Sequence, residues 1–174
     1  MTDLRAVAIS GSPRAPSKSR TIAELVLREL ERSGCATNVI DCATLPAEAL
    51  VARAPAAEMD AAIAALGDAR IVVAASPTYR ALYTGVMKAF FDLLPPAYLA
   101  GKVCVPVLTA GAPQHFLAIE HGFRPLFASL EGTAADGIYA TDDQFADGRP
   151  SDALLARIER VTASALALAR ALAG

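Results

Sequence analysis

The stretch AISGSPRAPSKSRT, residues 8–21, decides the fold of this chain and contains its most informative loop. The stretch begins at the end of an apolar run of strand length, LRAVAIS (4–10), and leads into a segment with helical spacing. A turn between them needs only a glycine or a proline, yet the loop also holds Ser12, Arg14, Ser17, Lys18, Ser19, Arg20 and Thr21. This surplus of hydroxyl and cationic donors before a helix is typical of an anion-binding loop, although a capped helix start with solvated charges is the alternative.

Apolar runs of strand length alternate with segments of helical spacing along the rest of the chain. We expect strands at 4–10, 37–42, 70–76, 102–109 and 136–141, helices at 20–32, 56–66, 84–94, around 114–130 and at 154–172, and a loop with a short helical turn at 46–55. Thr21 and Glu24 have the spacing of a capping box at the first helix. Strands one, three and four are nearly continuous apolar runs, as expected of buried parallel strands. The pattern predicts one α/β domain, residues 1–174, with a parallel sheet and right-handed crossovers.

Composition and charge argue against several classes of partner. No run approaches the ~20 apolar residues of a membrane-spanning helix, and the N-terminal stretch MTDLRAVAIS lacks the pattern of a secretory signal. A net charge of −2 gives no general attraction to nucleic acid or anionic lipid. We therefore expect a cytoplasmic protein that binds neither. Because 54% of the residues are hydrophobic and the helix at 84–94 has two adjacent apolar stripes, we also expect contact between subunits.

The cysteines and histidines favour structural roles over a metal site. Cys35, Cys42 and Cys104 are an odd number without CxxC spacing, and we expect structural thiols in a reducing compartment. His115 and His121 have no cluster of cysteines or carboxylates at ligand spacing. No metal site is expected.

Three strand ends together predict a site for a mononucleotide with a planar ring. Ligands of open parallel sheets bind outside the carboxyl ends of the strands, where the strand order reverses. The hydroxyl-rich loop follows strand one, SPTYRALYTG (76–85) ends strand three, and TAGAPQH (109–115) ends strand four. The first loop lacks the later glycines of the Walker A and GxGxxG patterns, which favours a phosphate monoester over a pyrophosphate. Taken singly, Tyr79 and Tyr83 could equally be packing residues at the sheet edge.

The segments GSPRAPSKS, SPTYRALYTGVMKAFFDLLP and GKVCVPVLTAG resemble the flavodoxin-like NAD(P)H-dependent FMN reductases, above all the reductases of two-component alkanesulfonate monooxygenase systems. The resemblance implies a flavodoxin-like three-layer α/β fold, with a five-stranded parallel sheet of order 2-1-3-4-5 and helices on both faces. It further implies FMN as cofactor, NADPH or NADH as hydride donor, and a homodimer or homotetramer. By position, the residues that match the cofactor-binding segments are Ser12, Arg14, Ser17 and Ser19 for the phosphate, Pro77, Thr78, Tyr79 and Arg80 for the isoalloxazine, and Gly111 on the third loop.

The resemblance also carries expectations about mechanism. Hydride transfer to flavin is the cofactors' own chemistry, so we expect no catalytic acid or base. Backbone N–H groups near Tyr79, Arg80 and Gly111 are expected to polarise the flavin, and Arg80 to contact the phosphates of the pyridine nucleotide. In the sulfonate-linked reductases the fourth helix can hold a π-bulge at the subunit interface, and His121 occupies the corresponding position here, before Gly122; a surface or interface histidine is the plainer interpretation. His115 could approach the flavin or simply be exposed.

Several functions remain open at this point. The resemblance favours an enzyme that supplies reduced FMN to a partner monooxygenase. The same loops would serve an enzyme that retains FMN and reduces a quinone, an azo dye or a metal oxyanion. A flavodoxin-type electron carrier fits less well, because the chain has no tryptophan and a net charge of only −2. A nucleotide-binding protein without redox activity is a further alternative, and the preference between NADH and NADPH is not determined by the sequence.

Overall fold

A parallel sheet organises the computed structural model, which describes residues 4–173. Its strands are β1 (Arg5–Ser10), β2 (Ala36–Asp41), β3 (Ile71–Pro77), β4 (Val103–Ala110), β5 (Thr133–Ala134) and β6 (Ile138–Thr141). The order is β2-β1-β3-β4-β5, with β6 also paired to β4, and all these pairings are parallel. The predicted α/β class and the order 2-1-3-4-5 are therefore confirmed.

Helices cover both faces of this sheet. They are α1 (Lys18–Arg32), α2 (Ala47–Leu50), α3 (Ala57–Asp68), α4 (Gly85–Asp92), α5 (Arg124–Ser129) and α6 (Asp152–Ala171). A 3₁₀ helix (Pro113–Leu117) and a π-helix (Ile119–Phe123) precede α5, and a 3₁₀ turn (Asp142–Gln144) and a hairpin of β7 (Phe145–Ala146) and β8 (Arg149–Pro150) follow β6. Between residues 4 and 173 there is no helix with the length and apolar character needed to cross a bilayer.

Two apolar cores separate the three layers. On one face, Ala8, Val73 and Val105 point from β1, β3 and β4 into a core shared with α1 and α6. On the other face, alternate residues of the same strands, such as Ile9 and Val72, meet α3, α4 and α5. The strands are buried on both sides because successive side chains point to opposite faces of a sheet.

The fifth strand differs from the single strand predicted at 136–141. It consists of β5 beside Val103–Cys104 and β6 beside Val107–Ala110, with a gap opposite Pro106. The Cys104 carbonyl accepts from the Ala135 amide at 2.8 Å, so the backbone groups of Cys104 face the fifth strand. Pro106 faces the same strand, because residues two apart in a strand point their backbone groups to the same side. Proline has no N–H to donate, which interrupts the ladder there. The prediction missed β5 and the β7–β8 hairpin, because two-residue strands leave almost no pattern.

The start of the first helix was also predicted wrongly. The helix begins at Lys18, two residues before the expected start, and its N-cap is Ser17, whose hydroxyl accepts from the Arg20 amide at 3.5 Å. Thr21 therefore lies within the first turn and donates to the Ser17 carbonyl at 3.2 Å. Glu24 pairs with Arg20 instead of closing a capping box. Ser17 is the cap because its backbone is extended, as an N-cap requires, and its hydroxyl reaches the Arg20 amide.

The intrachain core covers most of the doubly striped helix α4. Met87, Phe90 and Phe91 are buried, and Phe91 packs against Phe127 of α5 with ring centroids 6.2 Å apart. Only Val86 and Leu93 of the two stripes stay half-buried. The hydrophobic belt of this helix is therefore not, by itself, evidence for subunit contact.

A π-helix occupies the position at which the resemblance to the sulfonate-linked reductases implies a π-bulge. It spans Ile119–Phe123 and includes His121 and Gly122. His121 is exposed, whereas Gly122 is buried against the loop after β3. A Cβ on Gly122 would lie 2.4 Å from Cδ1 of Leu82 and 3.2 Å from the Tyr83 ring, so a larger residue here would have to displace the end of the Leu82 side chain.

Candidate functional site

A cavity of about 340 Å³ lies at the carboxyl ends of β1, β3 and β4. It is located where the strand order reverses, since β1 pairs with both β2 and β3. The residues that line it come from the three loops predicted above and from the end of β6: Ser12, Arg14, Pro16, Ser17, Lys18, Pro77, Thr78, Tyr79, Thr109, Ala110, Gly111 and Asp142. Chain segments far apart in the sequence thus converge on one open cleft.

The loop after β1 is held by its own hydroxyl groups. Ser12 Oγ donates to the Arg14 carbonyl at 2.8 Å and accepts from the Arg14 amide at 3.3 Å, which closes a tight turn. Ser17 Oγ lies 2.9 Å from Ser19 Oγ, and Ser19 is fully buried behind it. The Arg14 side chain is exposed at the cavity. Hydroxyl groups, a guanidinium and the N-terminus of α1 are donors suited to a phosphate.

The loop after β3 forms a strained two-residue turn. Tyr79 and Leu82 exchange backbone hydrogen bonds of 2.8 and 3.2 Å, and the two residues between them, Arg80 and Ala81, have φ of 51° and 66°. Residues other than glycine are uncommon in this left-handed region, and such strain is concentrated at binding sites. The turn leaves Tyr79 and Arg80 exposed at the mouth of the site.

The second tyrosine of this loop belongs to the core. Tyr83 is buried, and its ring lies 4.9 Å from the ring of Phe123 in the π-helix. Burial raises the pKa of the Tyr83 hydroxyl, since the phenolate would be poorly hydrated there. Of the two tyrosines, only Tyr79 lines the cavity.

Hydrogen bonds of Thr84 join the first two loops. Thr84 caps α4 by accepting from the Met87 amide at 3.1 Å, and its hydroxyl donates to the Gly11 carbonyl. Ser76 Oγ accepts from the Thr84 amide at 3.0 Å and donates to the Pro77 carbonyl at 2.8 Å. The start of α4 is thereby fixed against the ends of β1 and β3. Ser76 and Thr84 are buried, so these hydrogen bonds are shielded from water and fix the two loops relative to each other.

The loop after β4 is positioned by Tyr139 of β6. The Tyr139 hydroxyl donates to the Ala112 carbonyl, next to Gly111, and burial raises its pKa. His115 lies further along, in the 3₁₀ helix, outside the set of residues that line the cavity. Its Nδ1 is buried and makes no hydrogen bond within the described part of the chain.

One buried hydroxyl in this cavity is available to bond to a ligand. Thr78 lines the cavity, and its Oγ1 is buried with no hydrogen-bond partner among residues 4–173. Buried polar atoms normally have partners, and a ligand that enters the cavity can provide one. Ala110 and Gly111 leave the backbone accessible to a flat ring. The donors of the first loop, this hydroxyl and the small residues fit a mononucleotide such as FMN.

The family model described as NADPH-dependent FMN reductase matches residues 4–147 of this chain. The chain belongs to this family. It is 31% identical to the FMN reductase (NADPH) of Escherichia coli K12 over 148 residues, which cover 83% of this chain and 76% of that protein. It is 33% identical to the NADH-dependent FMN reductase SfnF of Pseudomonas putida over 165 residues, or 91% of this chain and 89% of the relative.

Solved structures agree with this assignment. An apo NADH:FMN oxidoreductase superposes with a TM-score of 0.87 at 31% identity, over 97% of this chain and 89% of that one. A flavodoxin from Streptococcus pneumoniae superposes with a TM-score of 0.65 at 18% identity, over 94% of this chain and 98% of the other. The second similarity concerns the fold alone.

Most of the residues expected to bind the cofactor of this reductase family member lie together. Seven of the nine line the cavity: Ser12, Arg14, Ser17, Pro77, Thr78, Tyr79 and Gly111. Ser19 is buried behind Ser17 and bonds to its hydroxyl, and Arg80 is exposed in the neighbouring turn, outside the residues that line the cavity. Their contacts with FMN remain a prediction.

Sequence reasoning overlooked the contribution of the segment after β6. Asp142 lines the cavity, and its Oδ1 pairs with Lys18 Nζ at 2.8 Å. The Lys18 ammonium also lies 5.3 Å from the centroid of the Phe145 ring. Because Lys18 and Asp142 are 124 residues apart, only the order of the strands could have indicated that they meet.

Proposed function

We propose that this chain is an NAD(P)H-dependent FMN reductase, which transfers a hydride from a reduced nicotinamide to FMN. The observation that carries the proposal is the convergence of seven expected cofactor-binding residues on one cavity, next to the unsatisfied hydroxyl of Thr78. Membership of the FMN reductase family supports the same reaction. Bound FMN supplies the hydride-accepting chemistry, and the chain supplies binding and orientation.

Each part of the cavity has a task in this proposal. Arg14 and the Ser17 hydroxyl bind the phosphate at the N-terminus of α1. Ser12 joins them when its hydroxyl proton, which the Arg14 carbonyl accepts in this structure, turns to the phosphate. Backbone N–H groups of Arg80 and Ala81 in the strained turn, and of Gly111, hold the polar edge of the ring, because the Tyr79 N–H already donates to the Leu82 carbonyl. Thr78 Oγ1 gains a partner when the cavity is filled. No side chain is assigned as a proton donor or acceptor, because hydride transfer needs orientation and not acid–base catalysis.

Arg80 is the group that we assign to the phosphates of the pyridine nucleotide. Its position beside the cavity and its exposure support this role. The variant Arg80→Ala should raise KM for NADPH or NADH and leave the dissociation constant of FMN unchanged. An unchanged KM for both nucleotides would remove this role.

We further propose that the protein forms a homodimer or homotetramer and delivers reduced FMN to a flavin-dependent monooxygenase. Leu82, Phe116 and Leu117 are exposed large apolar residues, and Leu82 packs at the π-helix beside Gly122. An exposed apolar surface of this kind favours a subunit contact, and His121 would then lie near it. The monooxygenase partner rests on the sequence resemblance to two-component reductases. Light scattering of the purified protein tests the assembly, with a monomer as the contrary result.

The activity is tested with protein freed of flavin. NADH or NADPH oxidation under anaerobic conditions should depend on added FMN and stop when FMN is omitted. An enzyme that retains its flavin would instead need a quinone, an azo dye or a metal oxyanion for turnover. If the protein binds FMN and neither nucleotide reduces it, the reductase proposal is wrong and a carrier or simple binding role takes its place.

A further inference from the structure

The cavity contains the carboxylate of Asp142, although the N-terminus of α1 and the cations beside it favour a bound anion. Three of its lining residues are charged, namely Arg14, Lys18 and Asp142. Asp142 Oδ1 accepts from the Lys18 ammonium at 2.8 Å. The other oxygen, Oδ2, lies 3.6 Å from the position that a Cβ on Gly111 would take. The carboxylate therefore stands between the start of α1 and the loop after β4.

The contacts of Lys18 hold its ammonium on the side of Asp142 and Phe145. Lys18 is the first residue of α1, directly after the Ser17 cap, where its charge could otherwise serve a phosphate. The pair is accessible to solvent, with side-chain exposures of 41% for Lys18 and 62% for Asp142. Exposed ion pairs contribute little to stability, so Lys18 can exchange one anionic partner for another at small cost.

The other cation near this loop is already paired elsewhere. Arg20 donates to Glu24 at 2.9 Å and also to Asp41, at the end of β2. Arg14 is therefore the cavity cation that remains for an incoming phosphate, and Lys18 is the second only if it leaves Asp142.

We propose that Asp142 is an internal counter-anion that competes with the phosphate of FMN for Lys18 and thereby lowers the affinity for FMN. The proposal rests on the proposed function, because it takes FMN as the ligand of the cavity. Its consequence is that the flavin binds weakly enough to leave after reduction. Asp142 is then an affinity-determining residue and not a catalytic one.

Flavin binding without any nucleotide tests this inference, followed by quenching of flavin fluorescence. The isosteric variant Asp142→Asn should lower the dissociation constant of FMN by about three- to tenfold, as expected for the loss of one screened charge near a phosphate. Riboflavin has no phosphate, and its dissociation constant should not change. The matched control is Asp143→Asn, which changes the net charge equally but lines a different hollow, beside Asp147 and Arg149. Its FMN affinity should stay within about twofold of the parent value, since screened charges outside the site act weakly.

Two further variants separate competition from a merely structural effect. Asp142→Glu keeps the charge and should keep the parent affinity. In a Lys18→Gln background, Asp142→Asn should have a smaller effect, because only the direct repulsion between the carboxylate and the phosphate is left to remove. An undiminished effect would show that Asp142 does not act through Lys18. An unchanged FMN affinity in Asp142→Asn, or an equal gain for riboflavin, would overturn the inference while FMN binding itself remained intact. If the parent protein does not bind FMN at all, the proposed function fails as well.

Discussion

The substitution Thr84→Val tests whether the first two loops are held together as the structure indicates. Valine has nearly the shape of threonine but lacks the hydroxyl that accepts from the Met87 amide at 3.1 Å and donates to the Gly11 carbonyl. Loss of an N-cap costs about 1 kcal/mol, and a buried carbonyl left without a partner costs roughly 1–3 kcal/mol. We therefore expect the free energy of unfolding to fall by about 2–4 kcal/mol.

Urea denaturation of flavin-free protein measures this effect directly. In thermal unfolding the same loss corresponds to a Tm lower by roughly 5–15 °C, at about 2–4 °C per kcal/mol for a chain of this size. The control variant Thr84→Ser keeps the hydroxyl and loses only a methyl group, so it should lie much closer to the parent. The reasoning is refuted if Thr84→Val is as stable as Thr84→Ser. FMN affinity should fall in the valine variant too, because Gly11 leads into the phosphate loop.

Three further predictions concern packing, phosphate binding and pH. Gly11→Ala should destabilise the fold by about 1–3 kcal/mol, since its Cβ would lie 2.7 Å from Cβ of Met87. Gly85→Ala is the control in the same denaturation assay. It should be neutral or slightly stabilising, because no atom lies within 4 Å of its Cβ. Arg14→Ala should raise the dissociation constant of FMN about 10- to 100-fold and affect riboflavin far less, as expected for a lost charge-assisted contact; similar losses for both flavins would contradict the assignment. Burial raises the pKa of the Cys42 thiol to about 12, from 9.0, so the unfolded chain releases its proton first and stability falls as pH rises above 9. When the pH rises from 8 to 10, the unfolding free energy of the parent should therefore fall by about 1.4 kcal/mol more than that of Cys42→Ala. An equal fall in both proteins would show that the pKa of this thiol does not change on folding.

The sheet could be predicted because its strands carry a local signal. Mostly apolar runs such as Ile71–Pro77 are typical of a buried parallel strand. Because the strands are parallel, the loops that follow them all lie at the same edge of the sheet. The predicted cofactor-binding residues converged for the same reason. The first helix was placed two residues late because two hydroxyl residues, Ser17 and Thr21, offered competing caps.

The features that were missed depend on contacts between distant segments. The break in the fifth strand arises from the missing N–H of Pro106 on a neighbouring strand. The Lys18–Asp142 pair joins residues 124 positions apart, and a surface lysine and aspartate carry no pattern of their own. The burial of α4 depends in part on Phe127, which only the folded chain brings against Phe91.

Counting the equivalents of FMN reduced per subunit tests the central proposal most directly. Flavin-free protein is mixed anaerobically with excess NADH or NADPH and increasing amounts of free FMN, and bleaching of the flavin is recorded. The account predicts that many equivalents are bleached per subunit, because the flavin binds, accepts the hydride and leaves. Bleaching that stops at about one equivalent, with further turnover only after a quinone is added, would contradict it and show an enzyme that keeps its flavin.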